Sequence, residues 1–237
     1  DITAITNATK ELVRLRPLDI RGKYSQDVYE QVQQVFKERE TQLNLKNCDI
    51  DDDNAIEVAK ILPYLTQLQQ LDLLSNQIGH TGATAIADSI SNLTQLQELH
   101  LSNNKIGDSG ATVIANSITN LTQLRWLSLD GNKIGDSGAT AIANSITNLT
   151  QLQELSLYNN QIGDTGAIAI ANSTTNLTEL QRLYLGKNEI GDSGAIVIAN
   201  FLTNFTQLNY LHLYNNNNIS NPVQQQLKEQ FSYKLWI

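Results

Sequence analysis

Residues 104–124 read NKIGDSGATVIANSITNLTQL, and residues 132–152 read NKIGDSGATAIANSITNLTQL. The two stretches differ only at Val113 against Ala141 and lie 28 residues apart. A fixed period of this size is the signature of a stacked-repeat architecture. The frame extends in both directions. It reads LQQLDLLSNQIG from Leu68, LQELHLSNNKIG from Leu96, LRWLSLDGNKIG from Leu124 and LQELSLYNNQIG from Leu152. It continues as LQRLYLGKNEIG from Leu180 and LNYLHLYNNNNI from Leu208, and a degenerate copy, TQLNLKNCDI, begins at Thr41.

Two periodicities alternate inside each copy. In LxLxx the leucines recur at every second residue, which is strand spacing. In GDSGATVIANSI, residues Ala111, Ile114, Ala115 and Ile118 recur at i, i+3, i+4 and i+7, one apolar face of a helix. Each repeat therefore supplies a short strand and a helix. Neither buries its apolar side alone, whereas stacked neighbours share one continuous core. A wide helix behind a narrow strand forces curvature, so the strands line the inside and the helices the outside.

The pattern LxxLxLxxN/CxI resembles the leucine-rich repeat family. The 28-residue length and the following GDxGAxxIA segment are similar to its ribonuclease-inhibitor-like subclass. The resemblance covers roughly residues 41–219, about seven copies. It implies an α/β solenoid, a right-handed horseshoe with parallel strands on the concave face and helices on the convex face. It also implies that the chain binds other proteins.

An asparagine column runs through the copies as Asn76, Asn104, Asn132, Asn160, Asn188 and Asn216. An inward amide without partners costs ~1–3 kcal/mol. Stacking predicts a ladder, each amide bonding turn backbone of its own and adjacent repeats. Cys48 fills the column in the first copy, where the family also accepts cysteine, and its expected role is structural.

GDSG, at Gly107, Gly135 and Gly191 with GDTG at Gly163, resembles the nucleophile segment of chymotrypsin-like serine proteases. A catalytic serine is needed once, with a histidine in hydrogen-bond reach. The histidines are His80, His100 and His212, and none recurs with the motif. No catalytic residue is assigned. Asp108, Asp136, Asp164 and Asp192 fall where a helix begins, and Asp is expected to cap it there. Gly110 and its equivalents sit in the first helical turn, which predicts close backbone approach. DIDDDNAIEVAK from Asp49 imitates a calcium loop, but Asn54 and Lys60 stand where glycine and glutamate are required. Asp52 is expected to be a helix cap, and no metal or cofactor is expected. Sequons at Asn92, Asn120, Asn148, Asn176 and Asn204 share one column, as duplication would produce.

The formal net charge is -8 over 237 residues. That balance disfavours nucleic acid and anionic membranes as partners and mildly favours a basic one. One cysteine excludes an internal disulfide. The chain begins at Asp1 and contains no methionine, the mark of a fragment or processed product. No signal peptide or membrane span is visible, so the expected location is the cytoplasm, or a host cytosol after secretion.

An open solenoid needs caps at both ends. Residues 1–40 are expected to form the first, with an amphipathic helix over residues 25–36 carrying Val28, Val32 and Phe36 on one face. Residues 220–237 are expected to form a helical second cap, starting at Asn221–Pro222 and presenting Val223, Leu227 and Phe231. Phe201 is expected to pack beneath it, against Tyr233 or Trp236. Thr174 interrupts the column Ile90, Ile118, Ile146, Leu202.

The repeats diverge unevenly. Between the copies from Leu96 and Leu124 the outer stretch matches at 20 of 21 positions, while QELHLSN and RWLSLDG match only at the two leucines. Drift alone would scatter changes around both faces. Here they gather on outward strand positions. The candidate partner-binding residues on that wall are Glu98, His100, Trp126, Asp130, Glu154, Tyr158, Arg182, Tyr184, Tyr210, His212 and Tyr214. Tyr, Trp and Arg are enriched at interface hot spots. Trp126, Tyr158, Tyr184 and Tyr210 are expected to form one patch, with Glu154 and Arg182 paired across strands.

The expected function is non-enzymatic binding of a partner protein on the concave face by a monomer. The uniform repeats resemble eukaryote-like leucine-rich repeat proteins of bacteria, including effectors that act on host proteins. The alternatives are a GTPase-activating or other regulatory repeat protein and, behind it, a hydrolase acting through GDSG.

Overall fold

The computed structural model describes residues 41–202, 207–231 and 235–236. The expected N-terminal cap, with its helix over residues 25–36, lies outside the described residues.

Strands and helices alternate along the chain. The strands are β1 (Gln42–Asn44), β2 (Gln70–Asp72), β3 (Glu98–His100), β4 (Trp126–Ser128), β5 (Glu154–Ser156), β6 (Arg182–Tyr184), β7 (Tyr210–His212) and β8 (Leu235–Trp236). The helices are α1 (Asp52–Ala59), α2 (His80–Ile90), α3 (Gly107–Ile118), α4 (Asp136–Ile146), α5 (Asp164–Ser173), α6 (Asp192–Leu202) and α7 (Asn221–Phe231). The strands form a single parallel sheet in sequence order, so every connection is a crossover through the helical layer. The horseshoe expected from the repeat pattern is the observed architecture.

Register follows the period. Leu43, Leu71, Leu99, Leu127, Leu155, Leu183 and Leu211 pair across successive strands. They and the helix residues Ala111, Ile114, Ala115 and Ile118 with their equivalents form one core, almost all at 0–3% exposure. Full burial of each Leu or Ile contributes about 1.5–3 kcal/mol, which holds the two layers together. No helix among the described residues is long and apolar enough to cross a membrane.

Each asparagine of the column links two repeats. Asn104 Nδ2 donates to Leu101 O at 3.0 Å and to Leu73 O of the preceding repeat at 2.9 Å, and its Oδ1 accepts from Ile78 N at 3.0 Å. Asn160 and Asn216 repeat the pattern two and four copies further along. Cys48 occupies the equivalent place, and its amide donates to Asn76 Oδ1 at 3.1 Å.

The helix-start aspartates do not cap their own helices, as the sequence suggested. Asp51, not Asp52, caps α1, accepting from Asn54 N at 2.9 Å. Asp52 reaches forward to the next repeat and accepts from Gly79 N at 2.6 Å and Gly82 N at 2.9 Å. Asp108, Asp136 and Asp164 likewise take the amides of Gly135 and Gly138, Gly163 and Gly166, and Gly191 and Gly194. Each carboxylate thus satisfies the exposed N–H groups of the following helix and complements its dipole. In each pair the second glycine, Gly82, Gly138, Gly166 or Gly194, makes room for the carboxylate. A Cβ on Gly138 would lie 2.7 Å from Asp108 Oδ1 and 2.8 Å from Ile134 Cγ2.

The C-terminal segment is not purely helical. Leu227 of α7 is buried and Val223 packs on the core, but β8 then extends the sheet, with Leu235 beside Leu211 and Trp236 beside His212. Phe201 is partly buried against the core. Its expected partner Tyr233 lies outside the described residues.

Candidate functional site

The alternation that buries the leucines turns the residues between them to the inner wall. Register sorts those residues into columns. One column runs Glu98, Trp126, Glu154, Arg182, Tyr210, and the next runs His100, Ser128, Ser156, Tyr184, His212. Asp130, Tyr158 and Tyr214 stand two residues beyond the ends of β4, β5 and β7, on the same wall.

The rings gather into two groups rather than the single expected patch. Tyr158, Tyr184, Tyr210 and Tyr214 surround His212, with ring centroids 5.6, 6.1, 6.2 and 6.3 Å from it. Tyr184 and Tyr210 also meet, at 5.2 Å. Trp126 stands apart, edge-to-face with His100 at 5.0 Å. Two polar contacts fill the gap. Arg182 pairs with Glu154, the neighbour of Trp126 in its own column. A hydroxyl–carboxylate chain occupies the adjoining positions. In it Ser102 Oγ meets Ser128 Oγ at 2.5 Å, Asp130 N donates to Ser102 Oγ at 2.9 Å, and Ser156 Oγ donates to Asp130 Oδ1 at 2.5 Å.

Burial sets the charge states. Desolvation raises the Asp130 carboxyl above its ordinary value, against the hydrogen bonds from Ser156 and Tyr158. Burial and then the Glu154 carboxylate raise the Tyr184 phenol, so it stays protonated. Burial lowers His212 below its ordinary value. Among the described residues its Nδ1 is buried without a hydrogen-bond partner. Gly186 admits this ring, since a Cβ there would lie 2.1 Å from His212 Nδ1.

Several expected contact residues are less available than their column suggested. Glu154 is 7% exposed and turned toward Arg182. His100 is half-buried between Glu98 and Trp126, with Nε2 3.2 Å from Glu98 Oε2. Trp126 at 36% and Tyr214 at 53% are the exposed large hydrophobic side chains among the described residues, and both stand on this wall. The serine chain and Gly186 were not singled out from sequence. The period marks their inward positions, but which side chain bonds which depends on side-chain direction.

The GDSG segments open the outer helices. Asp108 in the first of them spends its carboxylate on the next repeat, where Ser137 Oγ also donates to Oδ2 at 3.1 Å. His100 and His212 belong to the inner sheet instead. Among the described residues no three potential metal-binding side chains converge.

A family model described as a leucine-rich repeat region matches residues 42–236. No curated protein matches the chain in sequence. Among solved structures, the chain is similar to an internalin, inlF, of Listeria monocytogenes. The two are 26% identical with a TM-score of 0.50, over 76% of this chain and 49% of that one. The chain thus spans about half the length of that protein. Internalin C2, inlC2, of the same organism is 24% identical with a TM-score of 0.49, over 86% of this chain and 82% of that one.

Proposed function

The chain belongs to the leucine-rich repeat family, and from that premise we propose that it is a non-enzymatic interaction module that holds a partner protein on its concave face. The observation that carries this reading is the placement of Trp126 and Tyr214. Exposed aromatics of this size cost solvation unless a partner covers them, and such residues dominate interface energetics. The pairing of Arg182 with Glu154 and the packing of the tyrosines around His212 fix the wall in advance, which lowers the entropy lost on binding.

The repeat length and the GDxGAxxIA segment support the ribonuclease-inhibitor-like subclass. Likeness to a Listeria internalin supports a bacterial protein, and within this reading the partner is a host protein. The test is affinity capture from host-cell lysate with the parent chain and with a triple variant, Trp126→Ala, Tyr158→Ala and Tyr184→Ala. Circular dichroism confirms that the variant is folded. The reading requires that the variant lose the captured partners. Partners retained undiminished would overturn it, and a captured GTPase whose GTP hydrolysis the chain stimulates would point to a regulatory role.

A further inference from the structure

Resting on that interaction reading, we infer that the cluster Glu98, His100 and Trp126 seats an arginine side chain of a basic segment of the partner. Three observations converge on it.

The first is the platform. Trp126 is 36% exposed, and the edge-to-face contact with His100 fixes its orientation. His100 is itself held by Glu98, at 3.2 Å. The partly exposed indole is the side chain to which a cation is most strongly drawn through a ring face.

The second is the charge beside it. Register places Glu98 and Glu154 on the two strands flanking Trp126. Glu154 is occupied by Arg182 and buried, so it is not available to a ligand. The Glu98 side chain is 37% exposed. One of its oxygens faces His100, which leaves the other to accept from a ligand.

The third is the field of the wall. The inward positions of β2 to β4 and the residues just beyond them carry Asp72, Glu98 and Asp130 and no lysine or arginine, while Arg182 offsets Glu154 on β5. The whole chain carries a net charge of -8. A cation is drawn to this stretch from a distance and an anion is repelled. Guanidinium fits better than ammonium, because it is planar, stacks on an indole and bonds a carboxylate through its fork.

The test uses hexaarginine, hexalysine and hexaglutamate peptides, titrated by calorimetry into the full chain. A parallel fluorescence titration uses the Trp236→Phe background, where emission reports Trp126 alone. Hexaarginine should bind most tightly and change that emission, and hexaglutamate should not bind. Trp126→Ala and Glu98→Gln should each weaken hexaarginine binding about tenfold. The outer-face variants Asp53→Asn and Asp88→Asn should leave it unchanged. Absence of hexaarginine binding, equal binding of hexaglutamate, or unchanged Trp126 emission overturns the proposal. Affinity that survives Trp126→Ala and Glu98→Gln but falls in Tyr158→Ala or Tyr214→Ala also overturns it, while leaving the concave-face reading in place. Affinity that falls only in the outer-face variants overturns both. If Trp126→Ala fails to fold, Glu98→Gln and the emission change decide.

Discussion

At position 80 a histidine stands where the other complete repeats carry aspartate, and the next repeat bends to accommodate it. With no carboxylate at 80, the amides of Gly107 and Gly110 lack the acceptor that Gly135 and Gly138 find in Asp108. Gly107 takes φ +62, and its N–H donates to Asn132 O at 2.9 Å. Gly135 at the equivalent place is extended, with φ -99 and ψ -161. The Asn132 carbonyl turns to meet Gly107, and Lys133 is left at φ 58, a left-handed conformation that costs a non-glycine residue about 1 kcal/mol. His80→Asp should restore the carboxylate, return Gly107 and Lys133 to extended backbone, and stabilise the chain by about 1 kcal/mol. Thermal unfolding checks this, with a rise of a few degrees expected. A lowered midpoint would contradict the forward-reaching cap.

A second single-residue consequence concerns pH. Burial lowers the His212 pKa below its ordinary value of 6.5. The unfolded chain then binds more protons than the folded one between the folded pKa and 6.5, so stability rises with pH across that window. It is complete above 6.5, falls as pH drops through the folded pKa, and levels off below it. His212→Phe should reduce this acid-side loss in chemical denaturation measured across the window. An identical loss in both proteins would contradict the burial argument.

At the scale of the element, the leucine alternation and the Ala–Ile helix face read directly from the sequence, because strand and helix period are local properties. The direction of the aspartate caps did not. In sequence Asp108 lies one residue from the start of its own helix, and only stacking shows that the amides of the following helix are within reach. The sorting of aromatics into two groups was hidden for a similar reason. Column position was legible, but the diversion of Glu154 to Arg182 and the serine chain between the groups depend on side-chain directions. Thr174 was legible as a flaw, and its form is now visible. It is fully buried, its hydroxyl donates to Ala171 O at 2.7 Å, and α5 ends at Ser173, passing into a 3-10 turn over Thr174–Asn176. Ile118 and Ile146 fill the same column in longer helices, where isoleucine is fully buried. Thr174→Ile should stabilise by about 1 kcal/mol through added apolar burial and raise the thermal midpoint. A lowered midpoint would show that the hydroxyl bond outweighs the missing methylene.

At the scale of the molecule, the asparagine ladder and the forward caps make each repeat the scaffold of the next. Outer positions are therefore constrained twice, by their own packing and by the neighbour they cap. Inner-wall side chains between the leucines belong neither to the asparagine ladder nor to the forward caps, and there the copies differ most. The central claim is that this wall is where the partner lies. Hydroxyl-radical footprinting tests it most directly, because the reactive aromatics are already in place on both sides of the question. Oxidation of each tyrosine and tryptophan is measured for the chain alone and for the chain with its captured partner bound. The account predicts that the partner suppresses oxidation at Trp126 and Tyr214 and leaves Tyr64, which follows α1 on the helical layer, unchanged. Suppression at Tyr64 with Trp126 and Tyr214 as reactive as in the free chain would contradict it.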